Sequence, residues 1–163
     1  MKFKLDTQTH PPTLSLIGDI DESSDFTKAE VPKSGAIAID LSEIKHVNSM
    51  GLRAWVEWIT KLKHLSPIFY RRCSSSVINQ INILDGFLPR GSIVESFFVP
   101  YHCEPCDNTF NYLAQRGRDF REVTLEQPEL NAIPTSMTCP NCGKMAEADI
   151  IEGRYLKFLK RSR

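Results

Sequence analysis

The chain lacks any excess of charge of one sign. Its 20 basic and 20 acidic side chains cancel over 163 residues. No chain-wide field therefore draws it to nucleic acid or to an anionic membrane, and only a local patch can do so. It also lacks an apolar run approaching the roughly 18 residues that cross a bilayer, which argues against an inserted helix. The opening residues, MKFKLDTQTHPP, carry neither a long apolar core nor a small-residue cleavage site, so they do not read as a secretory signal. The expected compartment is the cytoplasm. There is no low-complexity tract, no repeat beyond a doubled C-x-x-C, and no glycine-rich phosphate loop. The four histidines, His10, His46, His64 and His102, fall in separate segments, outside any nucleophile or metal motif. With no catalytic constellation, the expectation is a protein that is not an enzyme.

What is present is the balance of a globular protein: 41% apolar and 25% charged residues. This length suits one ordinary domain plus a small module. In KFKLDT, Phe3 and Leu5 share one face at period two, and TLSLIGDI repeats the pattern with Leu14 and Leu16. These segments predict a hairpin turning through His10, Pro11 and Pro12. The polar stretch DESSDFTKAEVPKSG reads as a loop with one helical turn. GAIAIDLS then carries an apolar run at residues 36–39, which suits a strand buried on both faces.

From Gly51 the period changes to 3.6. Leu52, Trp55, Val56, Ile59 and Leu62 form one stripe, opposite Arg53, Glu57, Thr60, Lys61 and His64. Trp58 flanks the stripe and is expected at the core edge. SPIFYRR reads as another strand, and CSSSVINQINILDGFL as a serine-capped helix carrying Val77, Ile78, Ile81 and Leu84 and stopped at Gly86. SIVESFFVPY is strand-like again. The expected fold class is α/β (α+β): a mixed sheet with helices packed on it over residues 1–98, followed by a small module at 99–163.

Four of the five cysteines form CEPC (Cys103, Cys106) and CPNC (Cys139, Cys142). In a C-x-x-C knuckle two thiolates reach two corners of a tetrahedral metal, so two knuckles complete a four-thiolate site. Gly143 tolerates positive φ after the last ligand, and Asp107 and Asn108 suit the turn of the first knuckle. The knuckles are separated by 32 residues, more than the usual spacing of about 15 to 20. A hairpin with an inserted loop still brings them together. The expected cofactor is a structural zinc, since four thiolates leave no open position for water; a redox dithiol is the competing reading. His102 is expected to be a neighbour rather than a ligand. Cys73, before a serine cluster, reads as a buried or capping cysteine rather than a reactive one. The module's own core looks thin, so the metal is expected to hold it. Residues 154–163, RYLKFLKRSR, hold five basic residues and no acidic one. They read as a solvated basic end, with phosphate contact as the alternative.

The segment AIDLSEIKHVNSMGLRAWVEWITKL resembles the central part of STAS domains, the family of anti-sigma-factor antagonists and of the cytoplasmic tails of sulfate transporters. There an apolar strand is followed by D-L, a short loop, and D-S-S-G-L opening a helix. Asp40-Leu41 and Asn48-Ser49-Met50-Gly51-Leu52 hold those places here. SPIFYRRCSSSVINQINILDGFL is similar to the family's next strand-helix unit, so the likeness covers about the first hundred residues. The resemblance implies a non-enzymatic regulatory or scaffold protein. Its partners would be a protein such as a kinase-like anti-sigma factor, another STAS domain or a transporter component. The family's phosphorylated serine precedes the glycine, and Met50 stands there instead, so the usual switch has no hydroxyl. Asn48 or Ser49 can cap the helix. The expected partner-binding residues are Asn48, Ser49, Met50, Gly51 and Arg53. A nucleic-acid-associated zinc-ribbon factor is the alternative function.

Overall fold

The apolar run at residues 36–39 forms the middle of the largest sheet, where neighbouring strands and both faces are covered. The computed structural model describes residues 1–123 and 127–160. Five strands stand in the order β1 (Lys2–Asp6), β2 (Thr13–Ile17), β3 (Gly35–Glu43), β4 (Leu65–Arg71) and β5 (Ile93–Val94). β1 and β2 are the expected antiparallel hairpin, with Phe3 opposite Leu16 and Leu5 opposite Leu14. The other pairings are parallel. Parallel neighbours require crossovers, and the two apolar stripes provide them: α1 (Ser49–Lys61) joins β3 to β4, and α2 (Ser75–Ile83) joins β4 to β5. The fold is therefore α+β, a mixed sheet with helices. β1, at the sheet's edge, turns Lys2, Lys4 and Asp6 to solvent, and charge at an edge discourages further strand pairing. No described helix is long and apolar enough to cross a membrane.

Aromatic packing fixes α1 on the sheet. Trp55 is fully buried; its ring stacks on Phe87 with centroids 5.1 Å apart, and its indole N–H donates to the Phe87 carbonyl at 2.8 Å. Trp58, at the core edge, stacks on Phe26 at 5.1 Å. Phe26 comes from the one helical turn (Phe26–Lys28) in the otherwise polar loop. Burying each such side chain contributes about 1.5–3 kcal/mol. The start of α1 is seated on backbone. Ile20 N–H donates to the His46 carbonyl and Asn48 N–H to the Ile20 carbonyl, both at 3.0 Å. This ladder brings Gly51 so close that a Cβ there would lie 2.3 Å from both Asp21 N and Ile20 C.

The second sheet grows out of the first. β6 (Ser96–Cys103) follows β5 after a single residue and runs through the expected boundary at 98/99. Cys73, fully buried just after β4, donates its N–H to the Ser96 carbonyl at 3.0 Å and accepts from Phe98 N–H at 2.9 Å. Antiparallel β7 (Asn108–Gln115) pairs along the whole of β6. The small pair β8 (Phe120–Arg121) and β9 (Leu130–Asn131) follows. Then β10 (Ser136–Thr138) and β11 (Met145–Ala148) form a hairpin that joins β6, giving the order β10-β11-β6-β7. Residues 124–126 of the polar middle segment lie outside the described residues.

The basic end departs from its expected solvated form. Residues 152–160 make a short helix α3 (Glu152–Tyr155) and a 3₁₀ turn (Lys157–Lys160), and Tyr155, Leu156, Phe158 and Leu159 are buried. Phe158 meets Phe97 edge-on at 5.3 Å, and Phe97 in turn meets Phe120 at 4.8 Å. The Tyr155 hydroxyl donates to the Phe98 carbonyl at 2.6 Å, while Asn82 of α2 donates to the Tyr155 carbonyl at 2.7 Å. Four apolar side chains among the basic ones therefore close one continuous core. Residues 161–163, the last part of the basic stretch, lie outside the described residues.

The seat of α1 yields the first prediction. Gly51→Ala must push the Ile20–Asp21 backbone aside, and we expect a loss of about 3 kcal/mol in denaturant unfolding. Exposed Arg53→Ala should stay within about 0.5 kcal/mol. A Gly51→Ala protein as stable as the parent would contradict the close approach.

Candidate metal centre and the start of the first long helix

Both cysteine knuckles sit at the same end of the second sheet because each is the turn of a hairpin whose strands share that sheet. The first connects β6 to β7. Cys103 ends the strand, a 3₁₀ turn (Glu104–Cys106) follows with Pro105 inside it, and Asp107 takes the left-handed conformation at φ 52° before Asn108 opens β7. The second connects β10 to β11, with Gly143 at φ 73°. There Gly143 N–H donates to the Cys139 carbonyl at 2.9 Å and Cys139 N–H to the Lys144 carbonyl at 2.7 Å. The turn roles expected of Asp107, Asn108 and Gly143 are those the backbone adopts.

The four sulfur atoms of Cys103, Cys106, Cys139 and Cys142 lie within 4.8 Å of one another. Across the knuckles, Cys103 and Cys142 are 3.5 Å apart and Cys106 and Cys139 are 3.7 Å apart. A tetrahedral thiolate site with metal–sulfur bonds of about 2.3 Å sets its sulfurs about 3.8 Å apart. The spacing fits a metal ion. Among the described residues no other cluster of three or more such ligands occurs. His102 is outside the set; its Nε2 pairs with Asp107 Oδ1 at 2.8 Å. Outer donors reach one sulfur in particular: Asn141 N–H at 3.4 Å and the Asn108 side-chain amide at 3.7 Å both point at Cys139 Sγ. Asn141 was not singled out in the sequence, although its place between the two cysteines of CPNC is the signal that a knuckle N–H faces sulfur.

The thiols differ in the proton affinity that this setting gives them. Burial pushes Cys103 up to about 12, and hydrogen bonding to the other three cysteines adds to it. At Cys139 burial also works upward, but backbone N–H groups of Cys142 and Asn141 outweigh it and bring the thiol down to about 6. Cys106 is lowered, chiefly by Asn141. A depressed thiol favours the charged, metal-binding form at neutral pH.

The residues expected to bind a partner gather where α1 begins. Asn48, with extended backbone, is the cap: its Oδ1 accepts from Gly51 N–H at 2.9 Å, and its amide donates to Glu22 at 2.6 Å. Ser49 is the first helical residue and is exposed, so it starts the helix without capping it. Met50 is 65% exposed. Gly51 is buried beneath them, and Arg53, one turn on, is exposed and pairs with Glu57 at 3.4 Å. Asn48, Ser49, Met50 and Arg53 thus share a surface, with Gly51 as its floor. Cys73 is buried in the core and is not part of the four-cysteine set, and Ser74 is the cap of α2.

No family model, curated protein or solved structure matches this chain.

The sulfur geometry predicts one bound metal ion per chain by elemental mass spectrometry, and none in Cys106→Ser. Asn108→Ala should keep the fold and weaken metal affinity by about 10-fold to 100-fold, as loss of an outer hydrogen bond does. The pH dependence has a definite sign. A thiol lowered in the folded state contributes stability that is full above the unfolded value of about 8.5 and is lost as pH falls. For Cys139 in the metal-free chain that loss passes through about 6. Denaturant unfolding of the metal-free chain, followed against pH, should show this fall, and a stability flat through the window would contradict the low thiol.

Proposed function

We propose that this chain is a non-catalytic regulatory or scaffold protein that docks a protein partner on the surface formed by Asn48, Ser49, Met50 and Arg53. Its first hundred residues make a STAS-like domain, and its four-cysteine sheet is a ribbon-like module that carries structural zinc. The observation that carries the reading is Met50: a large apolar side chain, 65% exposed, on a helix start whose backbone is locked from below by Gly51. Methionine adapts to an apolar partner, and a backbone already in place loses little freedom on binding. The order of strands and helices in β1 to β5 agrees with what the resemblance implies. On that reading the partner is a kinase-like anti-sigma factor or another STAS domain. Zinc suits four thiolates, which leave no position for a reacting water.

The family's serine switch does not operate here. Ser49 has a hydroxyl, but the Glu22 carboxylate is hydrogen-bonded to the neighbouring cap, so a phosphate would meet like charge. A second reading, contact with nucleic acid, has one observation in its favour: Arg154, Lys157 and Lys160 stay exposed while the apolar residues between them are buried. Those three cations form a short row.

The test is affinity capture of the tagged chain from its own cell extract after nuclease treatment. A defined protein partner should remain, and Met50→Asp should remove it while leaving the melting temperature unchanged, because the side chain is exposed. Capture unaffected by Met50→Asp would overturn the docking surface. A partner that disappears with nuclease, together with steep loss of binding on adding salt, would instead support the basic row.

A further inference from the structure

Beside the seam of the two sheets, Arg71, Arg72, Glu95, Ser96, Gln115 and Arg116 line an open cleft of ≈ 470 Å³. We propose that this cleft binds the phosphate group of a small molecule. It lies beyond the carboxyl ends of the parallel strands β4 and β5, the place where open sheets of this kind take ligands. It involves neither the metal centre nor the surface at Met50.

The backbone is bent to build it. Consecutive residues of a strand point to opposite faces. Arg71 ends β4 opposite Asp40 of β3, and in a regular strand Arg72 would turn away from Asp40. Arg72 instead has φ 48°, the left-handed region that a residue with a Cβ enters at a cost. Both guanidinium groups thereby come to one side. Arg72 Nε donates to Asp40 Oδ2 at 2.6 Å, while Arg71 reaches Glu95 and donates from Nη1 to Thr13 at 3.1 Å. Ser42 steadies Asp40 from behind through its N–H at 3.0 Å and its hydroxyl at 2.8 Å. The Arg72 N–H donates to Ser96 Oγ at 2.9 Å, so the strained residue is tied into β6 as well.

The carboxylates hold the arginines without filling the cleft. Asp40 and Glu122, the partners of Arg72 and Arg116, have side chains only 6% and 11% exposed and are not among the lining residues. Glu95 is the one carboxylate in the lining, and Arg71 is on it. Arg72 is bound through Nε, its side chain is 51% exposed, and neither Nη group has a partner among the described residues. Two guanidinium groups, the Ser96 hydroxyl and the Gln115 amide thus face the same space with donors to spare. A tetrahedral dianion accepts from several directions at once, whereas a planar carboxylate is satisfied by one fork. The chemistry is that of phosphate.

Inorganic pyrophosphate is the probe, titrated into the full chain at low salt by calorimetry and by the side-chain Nε–H resonances of arginine, with citrate as the carboxylate control. We expect saturable binding that moves the Arg72 and Arg116 resonances, citrate weaker than pyrophosphate, and a loss of about tenfold or more in Arg116→Gln. Arg72→Gln leaves Asp40 without its cation, so Arg72→Lys is the companion variant. It keeps a charge for Asp40, removes the fork, and should fold with binding weakened to a similar degree. Lys63→Gln, which removes an exposed charge outside the cleft, should bind as the parent does. Absence of saturable binding to the folded parent, equal binding of citrate, or affinity unchanged in a folded Arg72→Lys protein would each overturn the proposal.

Discussion

β6 is the strand on which the remaining structure depends. It leaves the first sheet at Glu95, whose N–H is held by the Tyr70 carbonyl at 2.8 Å and whose carbonyl is taken by Arg116 N–H at 2.8 Å. It then passes over the buried Cys73 backbone and ends in Cys103, the first of the four clustered cysteines. Two sheets that share a strand register cannot move independently, because sliding one breaks hydrogen bonds in both. The C-terminal segment strengthens that connection. Tyr155 bonds to the β6 backbone with its hydroxyl and to α2 through its carbonyl, so one aromatic residue bridges strand and helix. The module that looked too thin to fold by itself is thus supported from two directions, by the contact with α2 and by the pairing of β7 along all of β6.

At the start of α1 the constraint is steric. A single exposed methionine has little meaning by itself, since apolar atoms make up much of any protein surface. Met50 differs in what lies below it. The Ile20 to Asn48 backbone ladder, the Asn48 cap and the absence of a Cβ at Gly51 together fix the first turn of α1 at the height of the loop carrying Asp19, Asp21 and Glu22. Asp19 adds a bond from His46 N–H at 3.0 Å. The glycine of the N-S-M-G-L signature is therefore explained by packing alone, and its cost to helix propensity is offset by the close contact it permits. Serine and methionine at the same turn are left facing outward.

The features legible in the sequence were those whose cause is local. Period-3.6 spacing from Leu52 to Leu62, the apolar run at residues 36–39 and the hairpin alternation of Phe3, Leu5, Leu14 and Leu16 each declare their own burial, and the strands and helices lie where these patterns put them. The four-cysteine cluster was legible for a chemical reason, because a C-x-x-C turn prepares half a tetrahedron regardless of what separates the two halves. Features caused by distant partners were not legible. Tyr155, Leu156, Phe158 and Leu159 alternate with lysine and arginine, so local composition reads as a basic end, and only the ring of Phe97 shows why they are inside. Arg72 carries no local mark of a left-handed residue either. Its conformation follows from Asp40, 32 positions away, and from Ser96 in the next sheet.

The pleat of β6 explains why the cleft and the four-cysteine cluster belong to one construction. Phe97, Val99, Tyr101 and Cys103 share one face of the strand and are all fully buried, while Ser96 lies on the opposite face and receives the Arg72 N–H. A slip of one residue would reverse every assignment, putting the Phe97 ring toward the arginines and swinging the Cys103 sulfur away from the other three. The aromatic contacts of Phe97 with Phe120 and Phe158 oppose that slip from the middle, and the pairing of β7 along all of β6 opposes it along the edge. The register that delivers Cys103 to the knuckles is thus the same register that offers Ser96 to Arg72. Whatever steadies the sulfur end steadies the arginine end through eight residues of a single strand.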